Sequence, residues 1–315
     1  MLDRRDLLRF TALGATAVLT SPLRAQTQSK PRTRIVFLGT KGGPRVGIGA
    51  SNPANVVVVD GTPFVIDCGM GVSRQLVSAG IPIPSIKYVF ISHHHSDHNL
   101  EYGNLIYNAW AAGLSTPIQS FGPAGLEAMT KTYWELNRFD VETRIADEGR
   151  PDPRPLLIAK DITRDGVVLK TDTVTVTAFR TPHPPIVDSF AYKFETPDGV
   201  IVFSSDTAYN PKLAEFAKGA DVLVHEALYV PAVDRLVIKT KNGATLKKHL
   251  LDSHTTTEDV GRIAAAAGVK VLVLSHFVPG DDPEVTDDDW TRDVKKHFTG
   301  RIIVAKDLMQ LALPV

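Results

Sequence analysis

Ser92-His93-His94-His95-Ser96-Asp97-His98 follows directly on Tyr88–Ile91, an apolar and β-branched run that reads as a buried strand. Four histidines and an aspartate within six residues are costly to bury without partners, and a bound metal is the natural compensation. In an extended stretch alternate side chains share a face. His93 and His95 therefore point one way and His94 the other, while the turn that follows brings Asp97 and His98 alongside. One imidazole pair and one His/Asp pair imply two neighbouring metals. Cys68 is the single cysteine of the 315 residues, so no disulfide framework or thiolate-rich metal site can form. Nitrogen and oxygen donors are what the chain has, a set that suits zinc and leaves manganese or iron open. Cys68 itself reads as a small buried residue.

Strand-like and helix-like segments alternate beyond residue 25. Arg34–Leu38, Asn55–Val59 and Pro63–Ile66 are short apolar runs parted by Gly, Pro and Asn, the pattern of strands joined by turns. Val72–Ala79, Gly103–Ala112 and Ala124–Leu136 carry apolar positions three and four apart and predict helices. A proline-rich loop, Arg150–Pro155, comes next. From Val167 the pattern returns to strands, with Thr173–Ala178, Phe190–Phe194, Val200–Ser204, Val222–His225 and Val271–Ser275 among them, and threonines and Gly268 bracket a helix over Thr256–Ala267. Each half holds strands followed by helices, with no short repeat and no composition break to mark a second domain. Two packed sheets with helices outside satisfy that order.

Seven of the ten histidines, His93, His95, His98, His183, His225, His254 and His276, fall at expected strand ends or tight turns. His183 lies in Thr181-Pro182-His183-Pro184-Pro185, Asp206 follows the Val200–Ser204 strand and His276 the Val271–Ser275 strand. Any one of these alone reads as a turn or capping residue. Loops converge at strand ends, however, and beside the histidine motif the three read as further ligands.

The stretch His93-His94-His95-Ser96-Asp97-His98 matches the H-x-H-x-D-H motif of the metallo-β-lactamase superfamily, and His183, Asp206 and His276 match its later ligand positions in order. The chain resembles that superfamily over residues 26–315, from Phe37-Leu38-Gly39-Thr40 and Asp67-Cys68-Gly69 to closing strands within Ile302–Ala312. The resemblance implies an α/β protein, an αββα sandwich in a single domain, with its site at one edge of the paired sheets. Carried over residue by residue, it puts His93, His95 and His183 on one divalent metal and Asp97, His98 and His276 on a second, with Asp206 bridging them. Two such cations lower the pKa of a bound water, so that hydroxide is available at neutral pH, and they neutralise charge building on a phosphoryl, sulfuryl or acyl group. Hydrolysis is the implied reaction class, with Asp97 counted among the catalytic groups as well as the ligands.

His225-Glu226-Ala227 and Ser253-His254-Thr255-Thr256 resemble the HEA and HST signatures of the ribonuclease Z branch and of related arylsulfatases, with Thr255 where Ser is usual. Read without that likeness, Glu226 is a solvated strand-end acid and His254 a neighbour of a helix cap. The likeness implies that Glu226 orients His254, and that protonated His254 steadies the leaving oxygen. Between His183 and Asp206 stand only 22 residues, too few for the long tRNA-clamping arm usual in ribonuclease Z.

Lysine plus arginine equal aspartate plus glutamate at 35 each, so long-range steering of nucleic acid is not expected. Residues 1–25 pair Arg4-Arg5 with a mildly apolar run, Thr11–Leu19, ahead of Leu23-Arg24-Ala25, the layout of a twin-arginine-type export signal. That run is too short to span a bilayer. A periplasmic protein beginning near Gln26 is expected. Gly39–Pro44 lacks a Gly-Lys-Ser/Thr ending and reads as a turn near the site, not a phosphate loop. Lys239, Lys241, Lys247 and Lys248 read as a solvated face, able to draw an anionic ester toward the metals if it borders them.

The leading expectation is a dinuclear hydrolase of phosphodiesters or aryl sulfate esters. Behind it stand a ribonuclease Z-like endoribonuclease, a lactonase or β-lactamase, and, from a different class, a non-catalytic metal-binding scaffold. A scaffold has no need of Glu226 and His254, and acyl transfer does not require that pair. The expected partner is a small anionic ester. Nucleic acid is disfavoured, a membrane anchor is not expected, and a homodimer is allowed.

Overall fold

Every position of Val56–Val59 is apolar because its strand is buried on both faces. Val57 and Val59 pack between two sheets while Val56 and Val58 pack against outer helices, and Ile35 and Phe37 divide from Val36 and Leu38 in the same way. Phe64, Phe90, Tyr192 and Phe194 interlock across the inter-sheet layer, Phe90 meeting Phe194 edge-on at 5.4 Å between ring centres. Each buried aromatic or aliphatic side chain of this kind contributes about 2 kcal/mol. The computed structural model describes residues 31–47 and 49–315, and the leader read over residues 1–25 lies outside them.

The first sheet takes β1 (Thr33–Gly39), β2 (Ala54–Val59), β3 (Thr62–Ile66), β4 (Tyr88–Phe90), β5 (Ile118–Pro123) and β6 (Leu157–Ile162). The second takes β7 (Gly166–Lys170), β8 (Thr175–His183), β9 (Ile186–Thr196), β10 (Gly199–Phe203), β11 (Val222–Leu228), β12 (Val271–Val278) and β13 (Arg301–Val304), and β14 (Gln310–Leu313) returns to pair with β1. In both sheets an antiparallel meander gives way to parallel strands, at β3–β6 and at β10–β13. Helices α1 (Val72–Ser78), α2 (Ser96–Asn99), α3 (Tyr102–Ala111), α4 (Leu126–Leu136) and α5 (Arg138–Glu148) belong to the first half. Those of the second half are α6 (Pro211–Phe216), α7 (Val230–Ile238), α8 (Gly243–Ser253), α9 (Thr257–Ala267) and α10 (Asp287–Arg292). Residues from α1, α3 and α4 cover the outer face of one sheet, and residues from α6, α9 and α10 cover that of the other. The layers are therefore α, β, β, α, as the resemblance implies.

Two expected strand ends are not ends. β11 runs past Glu226 to Leu228, and β12 runs past Ser275 to Val278. His225 accordingly sits inside a strand, fully buried. Glu226 is likewise buried, not a solvated strand-end acid. The sequence patterns do not reveal β5, β6, α5, α6, α7, α8 or α10, most of which are short or polar on more than one face. The Pro-rich stretch is a connector, and its Pro151 carbonyl accepts a hydrogen bond from Trp110 Nε1 at 2.9 Å.

Candidate metal centre

β4 stops at Phe90, and the backbone carries the histidine motif out of the first sheet onto the short helix α2. His183 closes β8, Asp206 follows β10, and His276 arrives from β12 by a specific distortion. The β11–β12 register pairs Glu226 with Ser275 but Ala227 with Phe277, which leaves His276 as an extra residue at φ +45°. A bulge of this kind re-aims a side chain. Asp67 and Ser205 also adopt positive φ, 61° and 52°, so strained backbone clusters where the ligating groups converge.

Two separate sets of donor atoms result, and a third group, Asp206, His254 and His276, overlaps them. His93, His95, His183 and Asp206 form one, and Asp97, His98 and His276 form the other; within each set the donors lie within 4.8 Å of one another. Asp206 stands between them, with Oδ2 3.8 Å from His183 Nε2 and 3.1 Å from His276 Nε2, and Oδ1 3.4 Å from His98 Nε2. His94 turns away toward Asn99 and the Ala124 carbonyl, as alternation requires.

Outer hydrogen bonds decide which ring nitrogens carry protons. His183 Nδ1 donates to Ser253 O at 2.8 Å, and His98 Nδ1 donates to Asp67 Oδ2 at 2.8 Å. Ser92 Oγ donates to Asp67 Oδ2 at 2.9 Å, so toward His93 Nδ1, 3.0 Å away, it accepts. The Nε2 lone pairs of His93, His98 and His183 therefore all face inward. His98 Nε2 and His276 Nε2 approach to 3.2 Å, and Asp206 Oδ1 and His276 Nδ1 are buried with no hydrogen-bond partner. Converging lone pairs and an orphaned buried carboxylate oxygen fit cations in both pockets.

Charge points the same way. Burial opposes ionisation of Asp206, but His276 and His98 outweigh it and hold the carboxyl well below its ordinary range. Burial would lower His98, yet Asp206, Asp67 and Asp97 raise its imidazole well above its usual value. The centre draws positive charge. By contrast, burial lowers His183 to about 4.

Glu226 and His254 are held together beside this centre. His254 Nδ1 donates to Glu226 Oε2 at 2.8 Å and lies 3.9 Å from Asp206 Oδ2, while Thr207 N donates to Glu226 Oε1 at 2.7 Å. Burial, then Asp206, pushes the Glu226 carboxyl up, and burial pushes the His254 ring down against the pull of Asp206 and Asp97.

Several supporting groups escape sequence reasoning. Asp67 is visible there only as part of a three-residue likeness, yet it accepts from Ser92 N, Ser92 Oγ and His98. Gly43 N donates to Asp97 Oδ2 at 2.8 Å, and a Cβ on Gly42 would come within 2.7 Å of the His276 ring, so the glycine turn does border the site. His249 on α8 lines the mouth with His95, Asp97 and His254. Cys68 is buried, and burial raises its thiol, which suits an inert packing role. Lys247 and Lys248 pair with Asp234 and Asp252, as a solvated face would.

His225 yields a stability test. Its Nδ1 donates to Glu226 O at 2.7 Å, its Nε2 is buried without a partner, and burial lowers it to about 4. The unfolded chain takes up that proton near pH 6.5, before the folded chain does, so the contribution is complete above about 6.5 and is lost as pH falls through about 4. Between pH 7 and 4.5, His225→Leu is expected to shrink the fall in unfolding free energy by on the order of 2 kcal/mol, measured by urea denaturation. Equal falls in both proteins would refute the assignment.

A family model described as a β-lactamase superfamily domain matches residues 62–277. Ribonuclease Z of Mycobacterium marinum is 30% identical over 281 residues, spanning 87% of this chain and 96% of that relative. Those 281 aligned positions barely exceed the part of this chain they span, so that ribonuclease Z carries no long insertion that this chain lacks. The short spacing between His183 and Asp206 thus does not set this chain apart from that ribonuclease Z. Among solved structures, human tRNase Z, short form, superposes with a TM-score of 0.65 at 20% identity, covering 90% of this chain and 100% of its own. Zn(2+)-bound PqqB from Methylobacterium extorquens gives 0.66 at 14% identity, covering 89% and 100%.

Proposed function

Given that this chain belongs to the metallo-β-lactamase superfamily, with relatives among the ribonucleases Z, we propose that it is a metal-dependent phosphodiesterase of the ribonuclease Z kind, cleaving RNA. The observation that carries this reading is the Glu226–His254 pair, 2.8 Å apart and set against Asp206. RNA stands here ahead of the small phosphate and aryl sulfate esters favoured by sequence reasoning, because the named relatives are ribonucleases and the short His183–Asp206 spacing does not set the chain apart from one of them.

His93, His95 and His183 would hold one cation, Asp97, His98 and His276 a second, and Asp206 would serve both. Zinc fits these donors and is the metal of one structural neighbour. When bound, such ions supply Lewis acidity and a nucleophilic water. Gly43 N–H and the Asp67 carboxylate keep Asp97 and His98 oriented. Glu226 Oε2 holds the proton on His254 Nδ1, which leaves Nε2 of the protonated ring as the atom that gives a proton to the leaving oxygen.

The test is a substrate panel on zinc-loaded protein: precursor tRNA with a 3′ trailer, bis(p-nitrophenyl) phosphate, p-nitrophenyl sulfate and a lactone. Cleavage of the RNA and the phosphodiester is expected. Turnover of the sulfate or lactone alone would overturn the proposal.

The twin-arginine-type leader favours a second reading, an exported phosphodiesterase whose natural substrate is a smaller diester. Replacing Arg4 and Arg5 by lysine is then expected to trap full-length precursor in the cytoplasm, while the unaltered chain appears in the periplasm cleaved near Ala25. Fractionation that finds the unaltered chain uncleaved in the cytoplasm would remove this reading.

A further inference from the structure

α8 is fixed in register against the metal centre, because Ser253 O accepts from His183 Nδ1 and Ser253 Oγ reaches Pro184 O at 2.6 Å. Counting back from His254, Leu250, His249 and Leu246 share one face of the helix. All three line a cavity of about 290 Å³ that also exposes His95, Asp97, Asp206 and His254, and no lysine or arginine lines it. Among the described residues, no group of side chains able to hold a metal includes His249. Its ring stands 6.4 Å from that of His254 and 6.5 Å from that of His95, nearly perpendicular to both.

The tautomer follows from Ser253. Its hydroxyl has one hydrogen, which the Pro184 or His249 carbonyl takes, so toward His249 Nδ1, at 3.2 Å, it accepts. In the neutral ring Nδ1 carries the proton and Nε2 is left as a hydrogen-bond acceptor, on a side chain that lines the cavity together with Leu246 and Leu250. A phosphate finds no lysine or arginine on the α8 side of this cavity. A flat, partly apolar ring with hydroxyl or amino hydrogens finds both of its needs.

We infer that Leu246, His249 and Leu250 form the leaving-group subsite and take a nucleoside, His249 Nε2 accepting from a hydroxyl or amino group. This rests on the phosphodiesterase reading: if His254 protonates the leaving oxygen, the departing group extends along the α8 face that precedes it. His249 is here a binding and specificity residue, separate from the proton-transfer pair.

Adenosine, a leaving nucleoside without phosphate, is the probe. It is expected to bind the zinc-loaded protein in calorimetry and to inhibit bis(p-nitrophenyl) phosphate hydrolysis competitively. His249→Ala should weaken adenosine binding at least about tenfold and raise KM for the diester more than it lowers kcat. His249→Gln, whose amide oxygen restores an acceptor, should recover most of the binding, and zinc content and circular dichroism report that both variants are folded. Wild type that hydrolyses the diester but binds no adenosine, or binds it as His249→Ala does, overturns this inference alone. Wild type that hydrolyses no phosphodiester overturns the functional proposal and this inference with it.

Discussion

Asp206→Asn is expected to strip both metals from the protein and to abolish hydrolysis, although the new side chain has nearly the same shape. One carboxylate faces both donor sets, at 3.8 Å from His183 and 3.1 Å from His276. Removing its charge therefore weakens two sites at once, whereas loss of an outer imidazole should weaken chiefly one. A metal centre contributes several kcal/mol of transition-state charge stabilisation. At 1.36 kcal/mol per factor of ten, kcat/KM should fall by at least about a thousandfold. Elemental analysis after dialysis should find two metals per chain in wild type and less than one in the variant. Two tightly held metals in Asp206→Asn would refute the bridging assignment.

His254→Ala is expected to slow diesters according to how poorly they release their leaving group. Nitrophenolate departs as a stable anion and needs little protonation, whereas an alkoxide needs the proton that His254 supplies. General acid catalysis is worth about a hundredfold to ten-thousandfold, so an alkyl diester should lose that much while a nitrophenyl diester loses far less. Glu226→Gln, which keeps a hydrogen-bonding partner but cannot take up or release a proton, should fall between wild type and His254→Ala on the alkyl diester. Equal losses on both substrates would refute the acid role. His254, Asp206 and His276 also lie within 4.8 Å of one another. A variant that loses a metal would therefore identify His254 as a ligand, and would force the second donor set to be redrawn.

The metal ligands and the proton-transfer pair are not equally legible in the chain. The ligands stand out because their residue types are rare and costly to bury, and because they follow recognisable strands in a fixed order. Glu226 and His254 are legible only through likeness to other proteins, since 27 residues and two helices, α7 and α8, stand between them. Nothing in Gly243–Ser253, polar on most of its turns, marks it as the helix that brings His249 to the site mouth.

Residue order alone dictates the donor set, the alternation that turns His94 away from His93 and His95, and the two-sided burial of runs such as Val56–Val59. These are consequences of residue chemistry and of the two-residue period of a strand, which act locally. That His276 faces the centre from inside a strand is instead a property of the folded sheet, because it depends on one extra residue in β12 relative to β11. The same holds for Asp67, which orients the ring of His98 from 31 residues before it, and for Ser253, which does so for His183 from 70 residues away. Such pairings arise from how sheets and helices pack. Packing distributes its energy over the whole core, so no short stretch of chain carries it.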